Sequence, residues 1–203
     1  MRPVTSRLAS GPRPVVRDRA STGGGEAGQS LVEFSLVLMP LMLVLLGIVQ
    51  FGFVFNAYVT LTNAAREGAR AGTIYQFDRT CSKAQNDMLR NEVIRTSLVT
   101  SMNLLGKTAP QFATTAPSGT GCTTSGGWTS STSGTTTTYQ NGDLTVTYTV
   151  PSGVTDTDPR PNEQVTVSAL YHQDLIIPLI ANLLPRDANS RLGLTGQVTM
   201  VIN

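Results

Sequence analysis

Residues 28–72 read GQSLVEFSLVLMPLMLVLLGIVQFGFVFNAYVTLTNAAREGARAG. Glu33 is followed by no charged residue until Arg66, and Phe34 to Phe55 is overwhelmingly Leu, Val, Met, Ile and Phe. About 20 such residues cross the hydrocarbon core of a bilayer as a helix, and this run meets that length. A core helix of a soluble protein would carry a polar face at helical spacing, and none is visible. The stretch therefore predicts one transmembrane helix, Phe34 to Phe55. Pro40 removes a backbone hydrogen bond inside it, which membrane helices tolerate. Gly47 and Gly52 leave room for a neighbouring helix.

Past Tyr58 the helix is expected to continue. Ala57, Leu61, Ala64, Gly68 and Gly72 recur at steps of three and four, giving a narrow stripe of mostly small side chains. Two uses of that stripe are open: close approach to another subunit, or packing on the chain's own domain. Arg66 and Arg70 share a different face, with Glu67 beside them.

Outward from this helix the composition is that of one anchor and one modest polar domain. The 203 residues are 40% hydrophobic with a net charge of +2. Arg2, Arg7, Arg13, Arg17 and Arg19 stand against only Asp18 and Glu26 in residues 1–28, so the basic excess belongs to the leader. A nucleic-acid partner would need a basic face on the folded part, and none is expected. The leader, 1–28, is rich in Arg, Pro, Gly and Ser without apolar periodicity, and reads as disordered. An arginine-bearing segment before an apolar run stays cytoplasmic, which predicts an N-in, C-out single-pass protein of the cytoplasmic membrane.

The junction of leader and helix, Gly28-Gln29-Ser30-Leu31-Val32-Glu33-Phe34, resembles the type IV prepilin class. That resemblance implies cleavage by a prepilin peptidase after Gly28, Gln29 as the new terminus, and Glu33 as the acid at mature position five. An ionisable group at the mouth of a membrane helix is costly and tends to be kept for a partner, here an α-amino group. The competing reading is that Glu33 only snorkels to the headgroups of an uncleaved signal anchor. Three elements in order then resemble the TadE-like family of the Flp, or tight-adherence, pilus system. They are the opening Gly28–Phe34, the Gly47–Phe51 element, and the close Asn63-Ala64-Ala65-Arg66-Glu67-Gly68-Ala69-Arg70. The resemblance covers about a fifth of the chain. It implies a pseudopilin-like membrane protein that serves pilus assembly beside other pilin-like subunits, in a bacterial membrane. The leader departs from the pattern, ending in Gly-Gly-Gly-Glu-Ala-Gly rather than in a basic cluster.

Residues 73–203 are expected to form an exported α+β domain, pilin-like in plan. Residues 79–105 read as an amphipathic helix with Leu89, Val93, Ile94, Leu98, Met102 and Leu105 directed to the core. The Thr-, Ser- and Gly-rich stretch 106–142 reads as an exposed loop or weak hairpin. Residues 144–150 and 165–171 alternate apolar and polar, and 196–202 supplies another strand, so the sheet should hold three or four antiparallel strands. Leu175–Leu184 is apolar but broken by Pro178, and reads as a short helix or lip against membrane or domain. Cys81 and Cys122 both fall on the exported side, where thiols commonly pair. Two unpaired thiols remain the alternative.

Catalytic chemistry has no constellation to stand on. His172 is the only histidine, no Cys or His lies near it at zinc spacing, and Asp174 is its only sequence neighbour of use. Asp156 and Asp158 sit beside prolines and suit a turn better than calcium. No phosphate-binding glycine loop is present. The expectation is a structural protein with no cofactor and no metal. The alternative is a signal-anchored surface domain that binds or adheres through its Thr/Ser-rich segment and sheet.

Overall fold

The structure, a computed structural model, describes residues 24–103, 105, 121–122, 127–176, 185 and 187–203. The leader up to residue 23, most of the 106–126 stretch and the segment 177–184 lie outside the described residues. So do most of the residues expected to form the lip. By internal compactness the chain divides into residues Met1–Val44 and Leu45–Asn203.

The first element, α1, is the helix Gly24–Thr73, with Pro40 inside it. It begins four residues ahead of Gly28, within the stretch assigned to the leader. Helix α2 is Lys83–Met102. The sequence S-K-A-Q starts it, because Ser82 and Gln85 form a reciprocal capping box: the Gln85 side chain accepts from the Ser82 N–H at 2.8 Å. Asn86 ties the α1–α2 connection to this cap. Its amide donates to the Asp78 carbonyl at 2.9 Å and its oxygen accepts from the Asp78 N–H at 3.0 Å.

Five strands follow: β1 Thr129–Ser133, β2 Thr136–Asn141, β3 Leu144–Thr149, β4 Gln164–Gln173 and β5 Leu192–Val201. They form one antiparallel meander in the order β1-β2-β3-β4-β5. The three strands read from alternation are β3, β4 and β5. The additional two come from the Thr/Ser-rich stretch, whose second half is the hairpin of the two alternatives read there, with regular antiparallel pairing. Thr is β-branched and fits a pleated surface, and Gly134, at φ +58°, permits the tight turn. The β2–β3 turn, Gly142-Asp143, is of the same two-residue length, with Gly142 at φ +57°.

The inner sheet face carries Tyr139, Leu144, Val146, Tyr148, Val165, Val167, Ala169 and Tyr171 into the core. The end of α1 meets this core with Ala57, Leu61 and Ala64, and α2 with Ile94, Leu98 and Met102. Two residues of the expected α2 core face lie elsewhere: Val93 is exposed, and Leu89 lines a shallow groove with Val93 and Glu67. The inward face of the first half of α2 is polar instead, with Asn86, Asp87, Arg90, Asn91 and Glu92 buried. Cys81 and Cys122 form a disulfide, Cα–Cα 5.2 Å, across a separation of 41 residues. Closing a loop of that length stabilises a fold by about 4 kcal/mol on the chain-entropy account.

Candidate functional site

The surface most unlike that of an ordinary domain is the flank of α1. From Leu31 to Val59 its large apolar side chains are exposed almost without exception, among them Phe34, Met39, Ile48, Phe51 and Phe55. The helix is long and apolar enough to cross a membrane. A continuous exposed apolar surface of this extent marks a membrane or a partner, because water would not tolerate it.

The C-terminal end of the same helix is used differently. Ala57, Leu61, Ala64, Ala65, Gly68, Ala69 and Gly72 are buried, while Asn63, Arg66, Glu67 and Arg70 are exposed. The stripe is thus spent on the chain's own domain. The reason for its small residues is visible at two glycines. A Cβ on Gly68 would lie 3.2 Å from the Ile94 carbonyl, and one on Gly72 would lie 2.7 Å from Ile94 Cδ1. Glycine here lets α1 and α2 approach backbone to backbone. Arg70 and Glu67 form an exposed pair at 3.3 Å, of the kind that contributes little.

At the other end of α1, Gly28 is exposed with open space around it, and it lies in helical rather than extended backbone. The Gln29 amide donates to Glu33 Oε1 at 3.0 Å, one helical turn on. Gly28, Gln29 and Glu33 therefore share one stretch of helix.

Behind the sheet-facing side of α2 lies a buried charged cluster that sequence reasoning missed. Arg160 donates from Nε and Nη2 to both oxygens of Asp87, each at 2.8 Å, and from Nη1 to Glu163 Oε2 at 2.6 Å. Tyr139 Oη donates to Asp87 Oδ2 at 2.9 Å, Tyr148 Oη to Asn91 Oδ1 at 2.7 Å, and Trp128 Nε1 to Glu92 Oε1 at 2.7 Å. Arg90 donates to the Pro159 carbonyl at 3.0 Å and lies over the Tyr75 ring. Burial pushes the Tyr139 and Tyr148 phenols well above their usual range, with the Asp87 charge adding to it. Burial also raises Glu163 above the usual carboxylate range, whereas the Lys83 ammonium beside Asp156 lowers that group. Arg160 is held at φ +68°, a left-handed conformation uncommon for a side-chain-bearing residue. These groups pair α2 with the sheet strands and the turn that carries Arg160, so the cluster orients α2 against the sheet.

His172 is neither bare surface nor paired with Asp174. Its Nδ1 lies 2.9 Å from Asp187 Oδ2 and its Nε2 lies 3.4 Å from Asp143 Oδ2. The two carboxylates sit on opposite edges of the ring, so one ion cannot be held by all three. What the arrangement does is link the β2–β3 turn, the end of β4 and the turn leading into β5. Among the described residues the one grouping close enough for a shared metal is Asp78, Cys81 and Cys122, and its two sulfurs are committed to the disulfide.

The outer face of the sheet is regular. Following the register across all strands gives the row Ser131, Thr138, Thr147, Thr166, Thr199. The flanking rows are Thr129, Gln140, Thr145, Ser168, Gln197 and Ser133, Thr136, Thr149, Gln164, Val201. These positions carry hydroxyls or amides and no charge, with Val201 the apolar exception.

The TadE-like protein family matches residues 28–70, the same stretch as the exposed and docked portions of α1. That match identifies a TadE-like segment in this chain and leaves the sheet and α2 without a family assignment. No curated protein and no solved structure matches the chain.

Proposed function

We propose that this chain is a single-pass, pseudopilin-like membrane component of a Flp/Tad pilus assembly or secretion apparatus. In this reading it acts structurally, through helix packing, and not as an enzyme. The observation that carries it is the division of α1. The TadE-like segment ends in a stripe buried against the chain's own domain, and it begins in a helix whose apolar flank is exposed from Leu31 to Val59. Such a helix holds the domain at the membrane and offers its flank to lipid or to other pilin-like helices. The N-terminus is inside and the domain outside, on the arginine distribution of the leader. Glu33 serves as a charge partner at the helix mouth, and a prepilin peptidase acts after Gly28. No cofactor and no nucleic acid enters the mechanism.

The test is cross-linking in cells that carry the assembly genes. A photoreactive residue in place of Phe51 should give adducts with pilin-like or assembly subunits, and one in place of Arg66 should give fewer. A Phe51 variant that forms only lipid adducts would leave an anchor without the packing role.

The uncharged hydroxyl face favours a second reading, a signal-anchored domain that adheres through its sheet. Replacing Thr138, Thr147 and Thr166 by glutamate leaves the inner face intact. Lost adhesion with normal pilus assembly would favour the binding domain.

A further inference from the structure

Gln50 is the polar residue buried deepest along the apolar flank of α1. Its side chain is only 3% exposed. Its Oε1 accepts a hydrogen bond at 2.9 Å from the backbone N–H of Ile176, 126 residues away in sequence. Its Nε2 is buried with no partner among the described residues. Counted from Phe34, about 20 residues of helix fill the hydrocarbon core, so the core extends to roughly Phe53 and includes Gln50. An unsatisfied amide at that depth is costly, and irregular backbone is tolerated there only where protein covers its polar groups. Gln50 covers the one it meets. The side chain of Ile176, by contrast, is 69% exposed, beside a flank that is already apolar.

From these contacts, and resting on the reading of α1 as a membrane span, we infer that the chain leaving β4 dips into the bilayer. Gln50 pins the Ile176 backbone in the leaflet on the domain's side, and the Ile176 side chain contacts the acyl chains there. The partner is lipid hydrocarbon. The contact continues the apolar surface of α1 rather than opening a separate one. It gives the domain a second membrane contact and limits its rotation about the helix.

The test uses the full chain reconstituted in phosphatidylcholine vesicles, with an environment-sensitive fluorophore on a single introduced cysteine and a nitroxide quencher on the lipid acyl chain. The native cysteines are occupied in the disulfide. Probes at Leu46→Cys and Ile176→Cys should both lose fluorescence to the quencher, and one at the exposed Val93→Cys should not. In a Gln50→Leu background, quenching at 176 should fall while quenching at 46 is retained. Quenching at 46 without quenching at 176 overturns the inference and leaves the membrane span standing. Absence of quenching at both positions overturns the span as well. Quenching at 176 that is indifferent to Gln50→Leu overturns the pinning.

Discussion

Gly196 of β5 lies directly against Leu61 of α1. A Cβ built on Gly196 would come within 2.8 Å of Leu61 Cγ and 3.1 Å of its backbone carbonyl oxygen. One element of the contact is backbone, which cannot swing aside. The Gly196→Ala variant should therefore push α1 from the sheet and cost about 1–3 kcal/mol, the usual range for overpacking. Chemical unfolding of the wild type and the variant checks it. An unchanged midpoint would mean that α1 is not seated on β5.

Asp87 and Arg160 are both nearly inaccessible and share two hydrogen bonds. Breaking such a pair leaves a buried charge without compensation, so Arg160→Ala should destabilise by about 3–5 kcal/mol. Lysine cannot reproduce the two-pronged geometry, so Arg160→Lys should recover little of this. Thermal unfolding distinguishes these outcomes, and a full recovery by lysine would contradict the geometry.

The buried acids and phenols give a pH dependence with a defined sign. Glu163 titrates higher in the folded protein than its ordinary 4.5, because burial favours the neutral carboxyl. The unfolded chain therefore loses this proton first, and stability falls as pH rises from 4.5 through the raised folded value. Asp156 runs the other way. Its depressed folded value adds stability above 3.8 that is lost as pH falls. Tyr139 and Tyr148, raised above 10.0, favour the fold until the unfolded phenols ionise above that pH. Glu163→Gln removes the first effect and, because Glu163 also helps to hold Asp156 low, weakens the second, which acts near and below pH 3.8. Its melting temperature relative to wild type should climb as pH is raised above 4.5, and a difference that does not change with pH would contradict the assignment.

Much of this was legible locally. The apolar run to Phe55, the small-residue stripe from Ala57 to Gly72 and the alternation in β3, β4 and β5 are periodic signals carried by adjacent residues. The β1–β2 hairpin stayed one of two readings, loop or weak hairpin, because β1 is Thr and Ser throughout and β2 carries a single large apolar side chain, Tyr139, so apolar alternation is absent. Asn141-Gly142, a strong hairpin signal, would have marked its end. The inward turn of Asp87 and Arg90 was illegible because their compensation comes from Arg160 and from the Pro159 carbonyl, about seventy residues away. The flanking of His172 by Asp143 and Asp187 and the Gln50–Ile176 contact are products of the meander in the same way.

Whether α1 is a pilin-like helix released from its leader is tested most directly by the N-terminus of the protein in its native membrane. Mass spectrometry of N-terminal peptides should find a mature terminus at Gln29, with Glu33 four residues behind it. An intact leader running through Gly28 would contradict processing and leave an unprocessed membrane anchor that carries a TadE-like segment.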